Sequence, residues 1–450
     1  MMKRFIYLSF RAFYAFKYRI TRRFTPAGLL VFAGLFASAV TGLDTNQTVA
    51  YQVFTFLLVL LSVAIAWAFF FRGTFLGKRI LPRFGTVNEP LEYRLIVSNK
   101  TKKQQRGLSI VEIVKDPRPS FEEFIHTPEP EEKTHNPFDR SIGYHRWLWL
   151  ISKKQWLLPK EEQLPSLPPN SEIDIPLRIV PSHRGHVAFN GFRIARPDPF
   201  GLFKSFVTTR FRQSIVVLPH RYPLPPINLP GTRKYQPGGV SLASSVGDSE
   251  EFISLRDYRP GDPLRRIHWK SWAKTGKPIV KEYQDEFFVR HALILDTFQK
   301  TEHSDIFEEA VSIAASFICS IQTQESLLDL MFVGTEAYCF TSGRGLSHSD
   351  TILEILASVR ACTNKPFNAL PPVVIERASL LSGCICVLIS WDEERKKFID
   401  LLTELGVPLL VLVITDDQSS KALDPNSMKA AHENLHILHV GTIEEGLAEL

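Results

Sequence analysis

Two apolar runs without a single charged side chain, residues 26–43 and 49–71, stand near the start of the chain and limit what the rest can be. A helix needs about 20 apolar residues to cross a bilayer core, so both runs read as membrane spans. The connection Asp44-Thr45-Asn46-Gln47-Thr48 has no Lys or Arg, whereas seven basic residues precede the first run and four closely follow the second. Basic residues stay on the cytoplasmic side, so both ends are expected there. A cleaved signal peptide fits poorly, because the basic region is long and a second apolar run follows. Residues 1–25 are then a basic cytoplasmic segment and residues 26–71 two transmembrane helices. The chain is expected in the inner (plasma) membrane, multi-pass, with the lipid bilayer as a partner and its soluble domains in the cytoplasm. Residues 1–23 interleave Lys and Arg with Phe5, Tyr7, Phe10, Phe13, Tyr14 and Phe16. This suits an amphipathic segment on anionic lipid, and equally an ordinary topology signal.

Charge follows the same division. Of the net charge of +6, residues 1–83 carry +10 and the remaining 367 residues −4. A mildly acidic body argues against nucleic-acid binding, which needs a basic surface for the phosphate backbone. With 44% hydrophobic and 22% charged residues over 450 positions, the chain is long enough for two or three folded domains. Its five cysteines, at 319, 339, 362, 384 and 386, are odd in number and scattered. Cys384 and Cys386 share one face of an apolar run and read as small buried hydrophobes. Free thiols agree with a reducing compartment.

Two textures follow the apolar runs. Residues 80–226 are Pro-rich with alternating segments at 91–97, 171–180 and 186–194, the pattern of an antiparallel β-sandwich. Residues 133–163 interrupt it with an aromatic insertion, Arg146-Trp-Leu-Trp-Leu-Ile151 and Trp156, expected to pack on the sandwich rather than dip toward the membrane. Residues 227–285 are a linker and motif segment. From 286 to 450 strands and helices alternate. Ile306, Phe307, Ala310, Ile313, Ala314, Phe317, Ile318 and Ile321 at helical spacing lie between buried strands at 289–295 and 327–333. Such alternation predicts an α/β domain with a mostly parallel sheet.

The most specific stretch lies between these domains: Phe252, Leu255, Arg256, Tyr258, then Gly261, Asp262, Arg265, Ile267, Trp269, then Ala273 and Lys274. It resembles the signature of domain-of-unknown-function family fifty-eight. His183-Arg-Gly185, Asp198-Pro-Phe-Gly-Leu-Phe203 and Val216-Val-Leu-Pro219 resemble further elements of that family. The resemblance implies two membrane spans, a β domain and a C-terminal von Willebrand A-like α/β domain. It also implies partnership with a MoxR-type AAA+ ATPase in assembling or maturing other proteins.

Residues 252–281 hold eight Lys/Arg and only two acids, Asp257 and Asp262. Two readings stand. Arg256, Arg259, Arg265, Arg266 and Lys270 can form a docking surface for an acidic partner, since Arg binds carboxylates bidentately. Alternatively the segment is a structural clamp: Asp262 pairs with a neighbouring Arg, and Trp269 with Trp272 anchors it in a core.

Metal chemistry has its own test. A metal-binding von Willebrand A domain needs Asp-x-Ser-x-Ser after its first strand, because hard cations want clustered oxygen ligands. Here that stretch is Asp296-Thr-Phe-Gln-Lys300, so the site is degenerate, with Asp296 and Asp392 as its remaining acids. Asp392 also reads as a helix N-cap ahead of Glu393 and Glu394. His432-Glu-Asn-Leu-His436 matches the zinc-protease pattern, but residues 435–440 alternate as a strand, which takes His436 off the helix. No phosphate loop, nucleophile elbow or dinucleotide fingerprint occurs. The expectation is a membrane-anchored, non-enzymatic scaffold without cofactors. The alternatives are a metal-dependent adhesion or ligand-binding module and a zinc hydrolase using the His432 pair.

Overall fold

The computed structural model describes residues 2–41, 48–129, 132, 134–157, 160–225, 234–235, 252–262, 264, 267–283, 287–301, 304–321, 326–342, 349–416 and 434–450. Its contacts divide the chain into two units, Met1–Leu218 and Pro219–Leu450.

The first unit opens with three helices: α1 (Met2–Arg23), α2 (Pro26–Thr41) and α3 (Thr48–Ala68). Within α3, Val49–Ala68 is long and apolar enough to span a bilayer, while α2 is a shorter apolar helix. At about 1.5 Å per residue, the 16 residues of α2 reach about 24 Å, short of the ~30 Å core. The connection between the two helices at 42–47, which includes Asp44, lies outside the described residues.

Strands β1 (Phe75–Ile80), β2 (Phe84–Thr86), β3 (Leu91–Asn99) and β4 (Ser109–Val114) follow. Three short helices, α4 (Phe121–His126), α5 (Pro137–Ile142) and α6 (Tyr144–Lys154), interrupt them before β5 (Glu162–Gln163), β6 (Glu172–Ile179), β7 (Gly185–Pro197) and β8 (Lys204–Leu218). One sheet has the order β1-β3-β6 and the other β2-β8-β7-β4-β5. The pairs are antiparallel except β2 with β8. Alternate residues of both sheets, among them Leu95, Val97, Ile110, Phe189, Phe192 and Ile194, meet in one apolar core.

A buried ion pair ties the two sheets across that core. Arg79 of β1 donates to Glu112 of β4 through Nε at 3.1 Å and Nη2 at 2.6 Å, and the Tyr93 hydroxyl donates to the same carboxylate. The guanidinium lies 4.6 Å and 4.5 Å from the ring centroids of Phe189 and Phe211. Burial pushes the Glu112 carboxyl upward, opposed by Arg79.

The aromatic insertion does pack, but its main partner is α1 rather than the sheets. Trp147, Leu150 and Ile151 of α6 and Phe124 of α4 bury Tyr7, with Phe10 and Tyr14 beside them. Tyr7 meets the rings of Phe121 and Trp147 at 5.3 and 5.7 Å and donates its hydroxyl to the Pro119 carbonyl. Leu157 joins the core of the sheets, with Trp156 packed against it. One aromatic face of residues 1–23 is thus covered by protein.

The turn at 198–203 holds the apolar helices. Asp198 accepts from the backbone N–H groups of Phe200, Leu202 and Phe203, which folds the chain sharply. Leu202 and Phe203 then pack against Ala64, with Val31 and Leu60 alongside. Gly28 sits so close to this turn that a Cβ there would lie 2.0 Å from the Leu202 carbonyl oxygen. Only glycine lets α2 approach.

In the second unit, β9 (Lys234–Tyr235) precedes a hairpin of β10 (Phe252–Asp257) and β11 (Ile279–Tyr283), with α7 (Trp269–Thr275) between its strands. Then come β12 (Phe287–Leu295), α8 (Asp305–Ile321), β13 (Ser326–Val333), β14 (Ala337–Ser342) and α9 (Ser349–Ser358). The chain ends with α10 (Pro371–Ile375), β15 (Gly383–Leu388), α11 (Glu393–Glu404), β16 (Leu409–Thr415), β17 (Leu435–His439) and α12 (Ile443–Ala448). The large sheet runs β14-β13-β12-β15-β16-β17, with β9 also pairing β12. Its strands are parallel except β14 and β9. Phe307, Ala310, Ile313, Ala314, Phe317 and Ile318 form the fully buried stripe of α8 that the spacing requires.

Candidate functional site

Strand order reverses between β12 and β15, since β13 and β14 continue to one side and β16 and β17 to the other. In open parallel sheets the crevice beyond the carboxyl ends of such strands is where ligands bind. Asp296 directly follows β12, and Asp392 lies between β15 and α11, so both acids singled out from the sequence arrive at this crevice.

What joins them is Arg395, in the first turn of α11. Its Nε donates to Asp296 at 2.6 Å and its Nη2 to the other carboxylate oxygen at 3.1 Å. Nη1 donates to Asp392 at 2.5 Å, and Nη2 also reaches the Phe298 carbonyl. The guanidinium carbon lies 4.6 Å from the centroid of the Phe367 ring. Asp296 is completely buried and also accepts from the backbone N–H groups of Phe298 and Ile389. Burial pushes its carboxyl upward against the opposing charge of Arg395, while Asp296 and Asp392 hold the guanidinium charged despite its own burial.

Each Asp296 oxygen therefore already has two donors, one of them cationic, where a metal would need free lone pairs. The side chains at the other ligand positions offer none: Phe298 is buried carbon, and Lys300 is an exposed cation. Asp392 caps α11 by accepting from the Arg395 N–H at 3.0 Å, as its place before Glu393 and Glu394 foretold. Among the described residues no group of three or more His, Cys, Asp or Glu could hold a metal ion. Arg395 was not singled out in the sequence. Its signal was its place three residues after the cap, where the first helical turn carries a side chain back over the strand ends.

The signature forms a different kind of surface. β10 pairs antiparallel with β11, with Arg256 opposite Val280. Between them, Arg259-Pro-Gly-Asp262 makes a tight turn in which the Asp262 N–H donates to the Arg259 carbonyl and the Arg259 N–H to the Asp262 carboxylate. Gly261 has φ +106°, which residues with a Cβ rarely adopt. Arg256 then grips Asp262 with both Nη atoms at 2.7 and 2.8 Å. That grip and the Arg259 N–H hold the Asp262 carboxyl down to about 2.

The clamp reading is met for Arg256 and Asp262, but not for the tryptophans. Trp269 and Trp272 stack with centroids 5.2 Å apart, yet Trp269 is 63% exposed. Leu255 and Leu264 are also exposed, at 41% and 67%, whereas Ile267 and Val280 supply the small buried contact beneath. Tyr258 donates its backbone N–H to Pro278, and Lys270, Lys274 and Lys277 are exposed around α7. Arg265 and Arg266 lie outside the described residues, as does the side chain of Phe252. His432 lies outside them too, and His436 sits on β17, as the alternation required.

Comparison with known proteins bears on this signature. Residues 254–373 match the family described as "Protein of unknown function DUF58". An uncharacterized protein of Bacillus subtilis, YeaD, is 27% identical over 176 residues, which cover 39% of this chain and 42% of that one. Together the two matches support a DUF58-type segment in this chain. The chain thus spans less than half the length of the curated relative it matches. Among solved structures, a CARDB domain from Pyrococcus furiosus, crystallised with two metal ions, is 12% identical. That match covers 32% of this chain and 89% of the other, with a TM-score of 0.17. A β-glucosidase from Listeria innocua bound to isofagomine is 10% identical, covering 32% and 16%, again with a TM-score of 0.17. Likenesses this weak carry no argument about fold or function.

Proposed function

We propose that this chain is a membrane-anchored, non-enzymatic adaptor that docks a MoxR-type AAA+ ATPase in the assembly or maturation of other proteins. One observation carries the reading: the signature turns Leu255, Leu264 and Trp269 outward while its Arg256–Asp262 pair is satisfied internally. Exposed large apolar side chains inside a basic rim suit a protein partner with an acidic face around an apolar contact. The saturation of Asp296 by Arg395 argues against a metal-dependent adhesion module. The strand order, with the third strand of the alternating domain reversed at the edge, supports the von Willebrand A-like reading. In this view α2 and α3 form a transmembrane hairpin, and the seven basic residues of α1 keep both soluble units in the cytoplasm.

Two experiments test the reading. A reporter fused after Leu450 should be active only as a cytoplasmic fusion, and periplasmic activity would overturn the orientation. The full chain purified from membranes should bring down an AAA+ ATPase identifiable by mass spectrometry. Its absence under conditions that retain the chain would overturn the partnership.

A further inference from the structure

We infer that the outer face of α1 lies on an anionic lipid surface, so that the helix and the insertion clamped to it form a peripheral membrane platform. The helix has two apolar faces. Tyr7, Phe10 and Tyr14 form one, covered by α4 and α6. At about 100° per residue, Met2, Phe5, Phe13 and Phe16 align on the opposite face. These four are exposed by 69%, 72%, 65% and 63%, and among the described residues of their unit none covers them. Ser9 falls on the same stripe but turns its hydroxyl into its own helix, donating to the Phe5 carbonyl at 3.0 Å. From Met2 to Phe16 the stripe therefore presents carbon.

Charge and continuity identify the occupant. α1 holds seven Lys/Arg and no acid, and exposed Lys17 and Arg19 flank the stripe on either side. An apolar stripe between cations matches the boundary between acyl chains and anionic headgroups. Only Phe24 and Thr25 separate α1 from apolar α2, and that junction is pinned: the Thr25 N–H donates to the Leu202 carbonyl beside the apolar helices. α1 therefore ends where α2 would enter the bilayer, a step that rests on the anchoring reading above.

The test uses the full chain with Phe13→p-benzoylphenylalanine, reconstituted into vesicles of phosphatidylglycerol with phosphatidylcholine or of phosphatidylcholine alone. Phe13 is exposed, so the replacement leaves the fold intact. Irradiation should give a lipid adduct in the anionic vesicles. The yield should fall severalfold in phosphatidylcholine alone, and again in a variant that adds Lys17→Gln and Arg19→Gln. No lipid adduct, or an adduct at the mass of two chains, would overturn the inference. Alkaline extraction of a parallel sample reads anchoring separately. A chain that resists extraction without an adduct at position 13 leaves the anchor standing and removes the platform. A chain that is extracted overturns the anchor, while the adduct at position 13 still decides the contact of α1.

Discussion

The crevice beyond β12 and β15 and the β10–α7–β11 signature are both organised around an arginine gripping an aspartate, and they could hardly differ more in what they leave for a ligand. At Asp296 the side chain is wholly buried, every carboxylate oxygen has two donors, and the cation is supplied by the chain itself. At Asp262 the pair merely stiffens a turn at the surface, and the residues around it hold Leu264 and Trp269 in solvent. A topological switch point is where a ligand would be sought first. In this chain Arg395 occupies the carboxylate that a ligand would meet there, while the signature keeps large apolar side chains exposed.

The largest effect that separates the two regions is on stability. Arg395→Met strips a fully buried carboxylate of its partner and should cost about 3–5 kcal/mol, measured by denaturant unfolding of the full chain in detergent. Adding Asp296→Leu should recover much of this, because a buried ion pair replaced by carbon is often close to neutral. Arg79→Met should cost a similar amount in the first unit, where Glu112 loses its cation between the two sheets and keeps the Tyr93 hydroxyl. If Arg395→Met were instead tolerated, the crevice would be open enough for a ligand and the contrast would fail.

A smaller effect is expected at the signature, and it depends on pH. The folded pKa of Asp262 lies below its ordinary 3.8, at about 2. Its stabilisation is therefore fully present above 3.8 and is lost as pH falls from there through about 2. Asp262→Asn should therefore lower the melting temperature slightly at neutral pH. It should also remove that acid-side decline from the unfolding profile, so that the two proteins converge only as pH falls below about 2. A variant that retains the full decline would assign it to other carboxylates.

Smaller still is the response to divalent cations. Titration with Mg²⁺, Ca²⁺ or Zn²⁺ should leave the melting temperature of the parent protein unchanged, because Asp296 has no lone pair to offer. A saturable rise would reopen the metal-dependent alternative.

How much of this was legible in the sequence follows from the range of the forces involved. Period-two and period-3.6 patterns mark faces, so β3, β6, β7, α8 and the parallel strands could be read directly. The Asp296-Thr-Phe-Gln-Lys300 stretch announced a degenerate site because ligand chemistry is local. Arg395 could not be read in the same way. Its partnership with Asp296 spans 99 residues and exists only once β12 and β15 lie side by side. The covered face of α1 escaped for a similar reason. An aromatic ring among arginines looks the same whether its neighbour is lipid or Trp147. The exposure of Trp269 had no local signal either, since two tryptophans at helical spacing usually mark a core.

The signature as the docking surface is tested most directly by Trp269→Ser in the full chain, with Arg395→Met as the companion. Substitutions at such exposed positions usually change stability by less than about 0.5 kcal/mol. The prediction is that Trp269→Ser melts with the parent and no longer retains the AAA+ ATPase in a pull-down from membranes, while the parent does. Retention of the ATPase at parental levels, or a melting temperature as depressed as that of Arg395→Met, would contradict it.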